Sequence, residues 1–315
     1  MDALPHEFLS DVLDTATHNI AEAISESEIP VWTNVAEDMI SSLVCCSASV
    51  ECIGSNLSCY FSKGPSRMSL AEFIAAEKRF YRIHSVRILG SKSSLRYKPE
   101  SKRVKFKILE SEVSKVAKAI FTRFRKYDYG EFLVEKLSEP TETYQEVVEK
   151  LYQTLNGKAY FESLTLFWTG PESEKFLQDQ VANSFSITDL RLVGPWKKQS
   201  FKILKEVVKR PELICLFAND GVHLRVSFGF IDDIAKNWVN KKKSQNLEVL
   251  VKLNKVLKNV PSRYKKERRA LRDDFDTYSA KHRIRKERVV IKVYDRMEIQ
   301  LSYVALVLNP DLQYF

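Results

Sequence analysis

Two rhythms of apolar residues divide the chain, one near 3.6 residues that predicts helices and one of two that predicts half-buried strands. Leu4-Pro5-His6-Glu7-Phe8-Leu9-x-x-Val12-Leu13 carries the helical rhythm with a proline suited to a first turn, so a helix is expected from Pro5. A second is expected from Asn19 to Ser25, with a break at Ile29-Pro30. A third follows where Val31, Trp32, Val35, Met39, Ile40 and Leu43 resume the period. Ser69-x-x-Glu72 reads as a capping box opening a helix to Arg79, with Leu70, Phe73, Ile74 and Phe80 as its buried stripe. Alternation then takes over at Val86-x-Ile88, Leu95-x-Tyr97 and Val104-x-Phe106-x-Ile108, which predicts antiparallel strands with Lys98-Pro99-Glu100-Ser101 as a turn. Helices are expected again at 113–124, on Val116, Ile120 and Phe124, and at 143–155, where Thr143-x-x-Glu146 reads as a capping box and Asn156-Gly157 as the stop.

From Phe161 to Asn219 one pattern occurs three times: Phe161-x-x-Leu164-x-Leu166, Ile187-x-x-Leu190-x-Leu192 and Pro211-x-x-Ile214-x-Leu216. The steps from Leu164 to Leu190 and from Leu190 to Ile214 both fall within the period of leucine-rich repeats, the second slightly the shorter. Each unit reads as a short strand and an amphipathic helix, carried by Phe176, Leu177, Gln180 and Val181 in the first and by Ile203, Leu204, Val207 and Val208 in the second. Neither half hides its apolar face alone, so neighbouring units must stack. The repeat consensus wants Asn or Cys three positions past the last strand apolar; Thr169 and Pro195 stand there in the first two units and Asn219 in the third, which predicts irregular repeat-like layers. Gly170-Pro171 and Gly194-Pro195 mark equivalent turns. Beyond lie an expected strand over 222–228, a helix over 231–239, a strand over 247–253, a charged helix or connection over 254–286, and a hairpin of Val289-x-Ile291-x-Val293 with Ile299-x-Leu301-x-Tyr303 about Asp295-Arg296.

Composition adds a soluble character: 44% apolar residues among 315 suffice for large cores, and no window has the length and apolarity of a membrane span or signal peptide. The expected location is therefore intracellular, cytoplasmic or nuclear. The net charge of +9 conceals blocks, since the segment 1–62 holds ten Asp and Glu with no Lys or Arg. The segment 63–126 holds eighteen basic against five acidic residues, and 241–286 sixteen against five. Opposite blocks should draw 1–62 onto 63–126, with Glu22, Glu26 and Glu28 facing Arg79, Arg82 and Arg87.

Reaction chemistry is sparse. Phosphate-loop, dinucleotide, zinc-protease and nucleophile-elbow patterns are absent, and the histidines His6, His18, His84, His223 and His282 are scattered. Cys45, Cys46, Cys52, Cys59 and Cys215 lack metal-ligand spacing and read as reduced, packed thiols, and Asp232-Asp233 reads as the usual acidic start of a helix. No catalytic residue, cofactor or metal is expected. Trp168 and Trp196, each just after a strand, are candidate partner anchors or core residues.

The opening Leu4-Pro5, the apolar Phe8, Leu9, Val12 and Leu13, and the placement of Trp32 relative to Pro5 resemble an F-box. The second Pro-x-x-Asp-Leu centre and the Val-Cys that usually precede the Trp are replaced by Asn19-Ile20-Ala21-Glu22 and Ile29-Pro30-Val31. Together with "FESLTLFWTGPES" and "ITDLRLVGPW" the chain is similar to the nematode F-box-like and F-box-associated proteins over residues 3–43 and 161–240. That resemblance implies a protein-interaction adaptor, the substrate receptor of a ubiquitin ligase. Leu4, Pro5, Phe8, Leu9, Leu13 and Trp32 would dock a Skp1-type adaptor, with Trp168 and Trp196 toward a target. The alternative is a nucleic-acid-binding module using strands 86–108, where Arg87, Arg96, Lys105 and Lys107 share exposed faces, or the segment 241–286. The expected architecture is α+β or α/β: a helical F-box-like segment (1–62), a small α+β part with basic strands (63–155), and a repeat-like α/β domain ending in a hairpin (156–315).

Overall fold

A computed structural model describes residues 24–26, 30–54, 56–64, 66–76, 81–90, 107–108, 110–124, 130–135, 137, 139–218, 224–240, 247–253, 261–266, 275–281, 288–296 and 301–308. The chain is mixed α/β and divides into two compact units, Met1–Phe161 and Glu162–Phe315. The expected helix from Pro5, with Leu4, Pro5, Phe8, Leu9 and Leu13, and the strands at 95–97 and 104–106 lie outside the described residues.

In the first unit, α1 (Pro30–Ser42) begins at the proline expected to break a helix, because a first-turn proline forfeits no hydrogen bond. Trp32 and Leu43, with Ile24, pack on the buried pair Val35 and Ala36. Next come β1 (Val44–Ile53) and β2 (Asn56–Lys63), a hairpin absent from the pattern reading. Ile53 faces Asn56 across a tight connection, and Gly54 at φ +61° supplies the left-handed residue it requires. The hairpin runs through position 62, and β3 (Ser66–Met68) pairs Lys63 with Ser66, so the expected division at 62/63 falls inside continuous sheet.

The capping box is present. Ser69 Oγ accepts the Glu72 amide at 3.1 Å and the Glu72 carboxylate accepts the Ser69 amide at 2.6 Å, opening α2 (Leu70–Ala75), which stops short of Arg79. Leu70 and Phe73 are buried, whereas Ile74 is 49% exposed. Strand β4 (Tyr81–Leu89) pairs parallel with β1 and with β5 (Glu131–Val134), not antiparallel as expected. Between them lies α3 (Val113–Phe121), with Val116 and Ile120 buried and Phe124 beyond it. Helix α4 (Glu142–Leu155) takes Thr141 as its N-cap, its hydroxyl accepting the Tyr144 amide, in place of the expected Thr143 box. Gly157 at φ +69° follows its end as expected.

The core of this unit is the apolar side of the sheet, Cys46, Ala48, Val50, Cys59, Phe61, Val86, Ile88 and Phe132. Phe61 stacks on Phe73 at 3.8 Å, and the fully buried Arg123 lies 4.3 Å over that ring. Its guanidinium donates to the carbonyls of Phe73, Ile74 and Ala76, closing the end of α2. Residues 44–62 thus join 63–126 through strand pairing and burial. The charges expected to do this are placed otherwise: Arg82 is buried, Arg87 pairs with Glu131, Glu26 is exposed, and Glu22, Glu28 and Arg79 lie outside the described residues.

In the second unit, β6 (Ser163–Phe167), β7 (Asp189–Val193), β8 (Cys215–Ala218) and β9 (Leu247–Lys252) are successive parallel neighbours. They are linked by α5 (Pro171–Asn183), α6 (Phe201–Val207) and α7 (Phe228–Asn240). Strands β10 (Lys265–Lys266), β11 (Phe275–Lys281), β12 (Arg288–Arg296) and β13 (Leu301–Leu308) extend the sheet antiparallel, in the order β9-β13-β12-β11-β10. The charged stretch expected as a helix or connection therefore contributes a strand at 275–281. The terminal hairpin forms, with Asp295 and Arg296 paired in the ladder to Ser302 and Leu301 instead of making its turn.

Two strand expectations are corrected. Leu190 pairs with Leu216, not Ile214, so the third copy is Leu213-x-x-Leu216-x-Ala218 and the step from Leu190 to Leu216 equals that from Leu164 to Leu190. Burial agrees: Leu213 is fully buried and Ile214 is 48% exposed. Nor do the described residues 224–228 of the expected strand over 222–228 form one, since Val226 makes one bridge to Leu253 and Phe228 begins α7.

Candidate interaction face

Inner side chains of β6 to β9, namely Leu164, Leu166, Leu190, Leu192, Leu216, Ala218, Val249 and Val251, are buried together with Phe176 and Leu177 of α5 and Leu204 and Val207 of α6. Strand alternation sends the intervening residues to the other face. Register aligns them in rows: Ser163, Asp189, Cys215 and Glu248 in one, and Thr165, Arg191, Phe217 and Leu250 in the next. Arg191 and Glu248 are exposed and the others half-buried.

The first row is acidic. Thr188 Oγ1 donates to Asp189 at 3.1 Å, and the Cys215 thiol, also bonded to Asp189, is pushed up to about 12 by burial and by Asp189 and Glu248. It is a neutral donor at physiological pH and no nucleophile. Burial, with Asp189 adding to it, raises Glu162 above the usual carboxylate range against the lowering bond from Thr188. The second row is a platform in which the Arg191 guanidinium lies 4.9 Å from the Phe217 ring centre.

The first unit has a comparable polar side. Ser62, Ser47, Ser85 and Glu131 form one row, and Tyr60, Ser49, Arg87 and Leu133 the next. Ser85 donates to Glu131 at 3.0 Å, while Arg87 donates to Ser85 at 3.2 Å and to Glu131 at 3.1 Å. Tyr60 donates to the buried Glu51 at 3.1 Å, and Arg67 stacks 4.0 Å over the Tyr60 ring. His84 approaches Ser47 at 3.5 Å, and burial with Arg87 nearby lowers its pKa against the opposing pull of Glu131, so the imidazole is neutral at physiological pH. Arg87 and Lys107 are exposed as expected, with Arg87 engaged by a carboxylate and Lys107 beside Ser58.

The tryptophans meet, but inside. Trp168 and Trp196 pack edge to face at 5.2 Å; Trp196 is fully buried and donates its indole N–H to the Val193 carbonyl at 2.9 Å. Trp196 therefore has no surface to offer a partner, and Trp168 shows 9% of its surface beneath Lys197. Both brace the strand-to-helix turns, where the Trp168 backbone N–H also donates to Val193. Where a repeat consensus would place Asn or Cys, the buried Ser173 ties the first turn from within α5, its Oγ accepting the amides of Thr169 at 3.0 Å and Gly170 at 3.4 Å.

Cys46 and Cys52 are buried thiols pushed up to about 11 and about 12 by desolvation, and buried Cys59 shifts the same way. Asp232 accepts from Arg263 at 2.9 Å and Tyr264 at 2.7 Å and pairs with Lys236 at 2.8 Å, so its charge is held by side chains and not by the helix N-terminus. Among the described residues no group of three or more His, Cys, Asp or Glu is placed to hold a metal, and no helix is long and apolar enough to cross a membrane. His6, His18, His223, His282 and Asn219 lie outside the described residues.

The outer rows escape a reading that follows apolar repeats, because such a reading passes over the residues between them. Their signal lies in Leu164-Thr165-Leu166, Leu190-Arg191-Leu192 and Leu216-Phe217-Ala218, whose middle residues share a row once the equal spacing is used. Comparison with known protein families, curated proteins and solved structures finds no match for the chain.

Proposed function

We propose that the chain is a non-enzymatic protein-interaction adaptor, built on a leucine-rich-repeat-like layer whose outer sheet face receives a target and on an F-box-like N-terminal segment that engages a Skp1-type adaptor. The supporting observation is the register of β6, β7 and β8. Three copies of one motif stack in line, which leaves an acidic row beside an Arg191–Phe217 platform on the side opposite the helices. Strand order follows chain order from β6 to β9, as stacked repeat units require. A broad sheet face with strands about 4.8 Å apart and rows about 6.6 Å apart suits an extended protein surface better than a small molecule. For the nucleic-acid alternative, Lys107 is exposed, while Arg87 is exposed but paired with Glu131.

Two measurements test this. The purified full chain should co-elute with a Skp1-type adaptor and lose it on Leu4→Ala/Phe8→Ala substitution; failure to co-elute removes the ligase reading while leaving the scaffold. A photo-crosslinking residue at Thr165 should capture another protein from cell extract, whereas one at Lys175 on α5 should not. Equal capture at both positions refutes the sheet face as the target surface.

A further inference from the structure

The antiparallel end of the second unit segregates its charges. Strand pairing sets which residues share a side of a sheet. Lys252 of β9 pairs with Tyr303 of β13, Tyr303 with Tyr294 of β12, and Tyr294 with Phe275 of β11, so a lysine and three aromatic residues fall in one row. The same register places Lys265, Lys281, Arg288, Lys292 and Arg296 on that side, with Glu248 as the acidic position among these strands. Asp276 and Asp295 fall on the other side, with Lys266. Burial tells the two sides apart. Leu247, Val249, Val251, Ile291 and Leu306 are buried on the second. On the first, Glu248 and Lys265 are exposed, Leu250 and Ser279 are half-buried, and Val290 is buried.

We propose that this side of β9, β13, β12 and β11 binds single-stranded nucleic acid, with the row of Tyr303, Tyr294 and Phe275 for its bases and the surrounding lysines and arginines for its phosphates. The proposal does not depend on the adaptor reading. Two features together select the ligand. Cations alone would take any polyanion, an acidic protein segment or a duplex included. An aromatic row adds a demand for flat π faces on the same molecule as the negative charge, which unpaired bases meet and a duplex keeps within its own stack. The spacing suits it. Adjacent strands lie about 4.8 Å apart, so the row covers roughly 10 Å, room for two or three bases. Along β12, Lys292 and Arg296 stand two residues to either side of Tyr294, about 6.6 Å away, where a backbone crossing the row would pass. Glu248 bounds the patch toward β8, since it ends the acidic row that runs through Asp189 and Cys215 and repels phosphate from the rest of the sheet.

The test titrates the full chain, by fluorescence anisotropy, into fluorescein-labelled probes of about 12 nucleotides: one RNA strand, the same strand as DNA, and that DNA annealed to its complement. A single strand should bind at least about tenfold tighter than the duplex. Tyr294→Leu should weaken the single strand about tenfold and leave the duplex nearly unchanged. Lys292→Glu should weaken both and lower the slope of log affinity against log salt by about 0.7 or more, the share of one phosphate contact. Lys202→Glu makes the same charge change at an exposed position on α6 and should alter neither. Circular dichroism verifies the fold of each variant; should Tyr294→Leu fail to fold, the single-strand preference and Lys292→Glu carry the test. No binding of either single strand at low salt, equal binding of single strand and duplex, or unchanged binding in folded Lys292→Glu overturns the proposal, as does an equal loss in Lys202→Glu.

Discussion

Replacing Asp232 by Asn keeps the side chain's shape and removes the charge that ties α7 to the segment 261–266, so its cost can be built up from its partners. Arg263 and Lys236 are 43% and 48% exposed, and each screened pair contributes at most about 1 kcal/mol. The Tyr264 bond is different, because a buried hydroxyl donates at 2.7 Å to a carboxylate, and such charge-assisted bonds contribute about 1.5–3 kcal/mol. Asp232→Asn should therefore cost about 2–4 kcal/mol, Tyr264→Phe about 1.5–3 and Arg263→Gln no more than about 1. Burial alone would raise the Asp232 pKa, but the bonds from Arg263, Lys236 and Tyr264 outweigh it and hold the carboxyl below its ordinary range. A depressed carboxyl stabilises above the unfolded value near 4 and loses that contribution as pH falls through the folded value. Tyr264 has the opposite sign. Burial, then Asp232, pushes it up to about 12, so its contribution is lost as pH rises from about 10 toward that value. Hydrogen exchange of peptides spanning α7, followed across urea and pH, reads the stability where the substitution sits. The reasoning fails if Arg263→Gln costs as much as Tyr264→Phe, or if the acid-side loss survives unchanged in Asp232→Asn.

Ser173→Ala leaves the Thr169 amide without its partner in a buried turn and should cost about 1–3 kcal/mol by chemical denaturation, whereas Ser173→Thr should retain much of it. Leu213→Ala should cost about 2–5 kcal/mol and Ile214→Ser within about 0.5, the reverse of what a repeat centred on Ile214 predicts; comparable losses would contradict the register. Iodoacetamide under native conditions should label exposed Cys45 well before buried Cys46, Cys52 and Cys59, as mapped by mass spectrometry, and early labelling of Cys59 would contradict its burial.

The strands β6 and β7, the helices α5 and α6, and the Ser69 capping box are legible in the sequence because each rests on a local rule: alternation, a 3.6 period, or a side chain meeting its own backbone. The β1–β2 hairpin is not. The inner positions of β1 are Cys46, Ala48, Val50 and Cys52, mostly small residues of weak β signal, buried along with Phe61 of β2, Phe73 and Phe132. The third repeat is displaced by two positions when read from its pattern, an error that alternation cannot detect because it keeps every side chain on its face. Only the anchor three positions before the first strand leucine, Leu213 instead of Pro211, distinguishes the registers. Strand β11 is hidden for another reason: its sequence, Phe-Asp-Thr-Tyr-Ser-Ala-Lys, is polar, and its pairing with β12 provides what its own residues do not announce. The interaction face is least legible, since its rows exist only after three strands are aligned.

That alignment separates two kinds of position that are adjacent in sequence. Inner residues repeat closely, as Leu164, Leu190 and Leu216, and as Leu166, Leu192 and Ala218, while outer ones vary through Ser163, Asp189, Cys215 and Glu248. A stacked layer needs like residues inward, because each strand packs beside its neighbours, and makes no such demand outward, where chemistry is free to serve a partner. Leu190 and Arg191 therefore give a direct comparison within one strand. Leu190 is fully buried, so Leu190→Ala should cost about 2–5 kcal/mol. Arg191 contributes a cation–π contact to Phe217 on an exposed face, so Arg191→Ser should cost no more than about 1 kcal/mol. If the outer face receives a target, crosslinking from Thr165 should fall in Arg191→Ser although the protein remains folded. Should Arg191→Ser instead destabilise the protein as much as Leu190→Ala and leave crosslinking untouched, the outer row is structural and the target surface lies elsewhere.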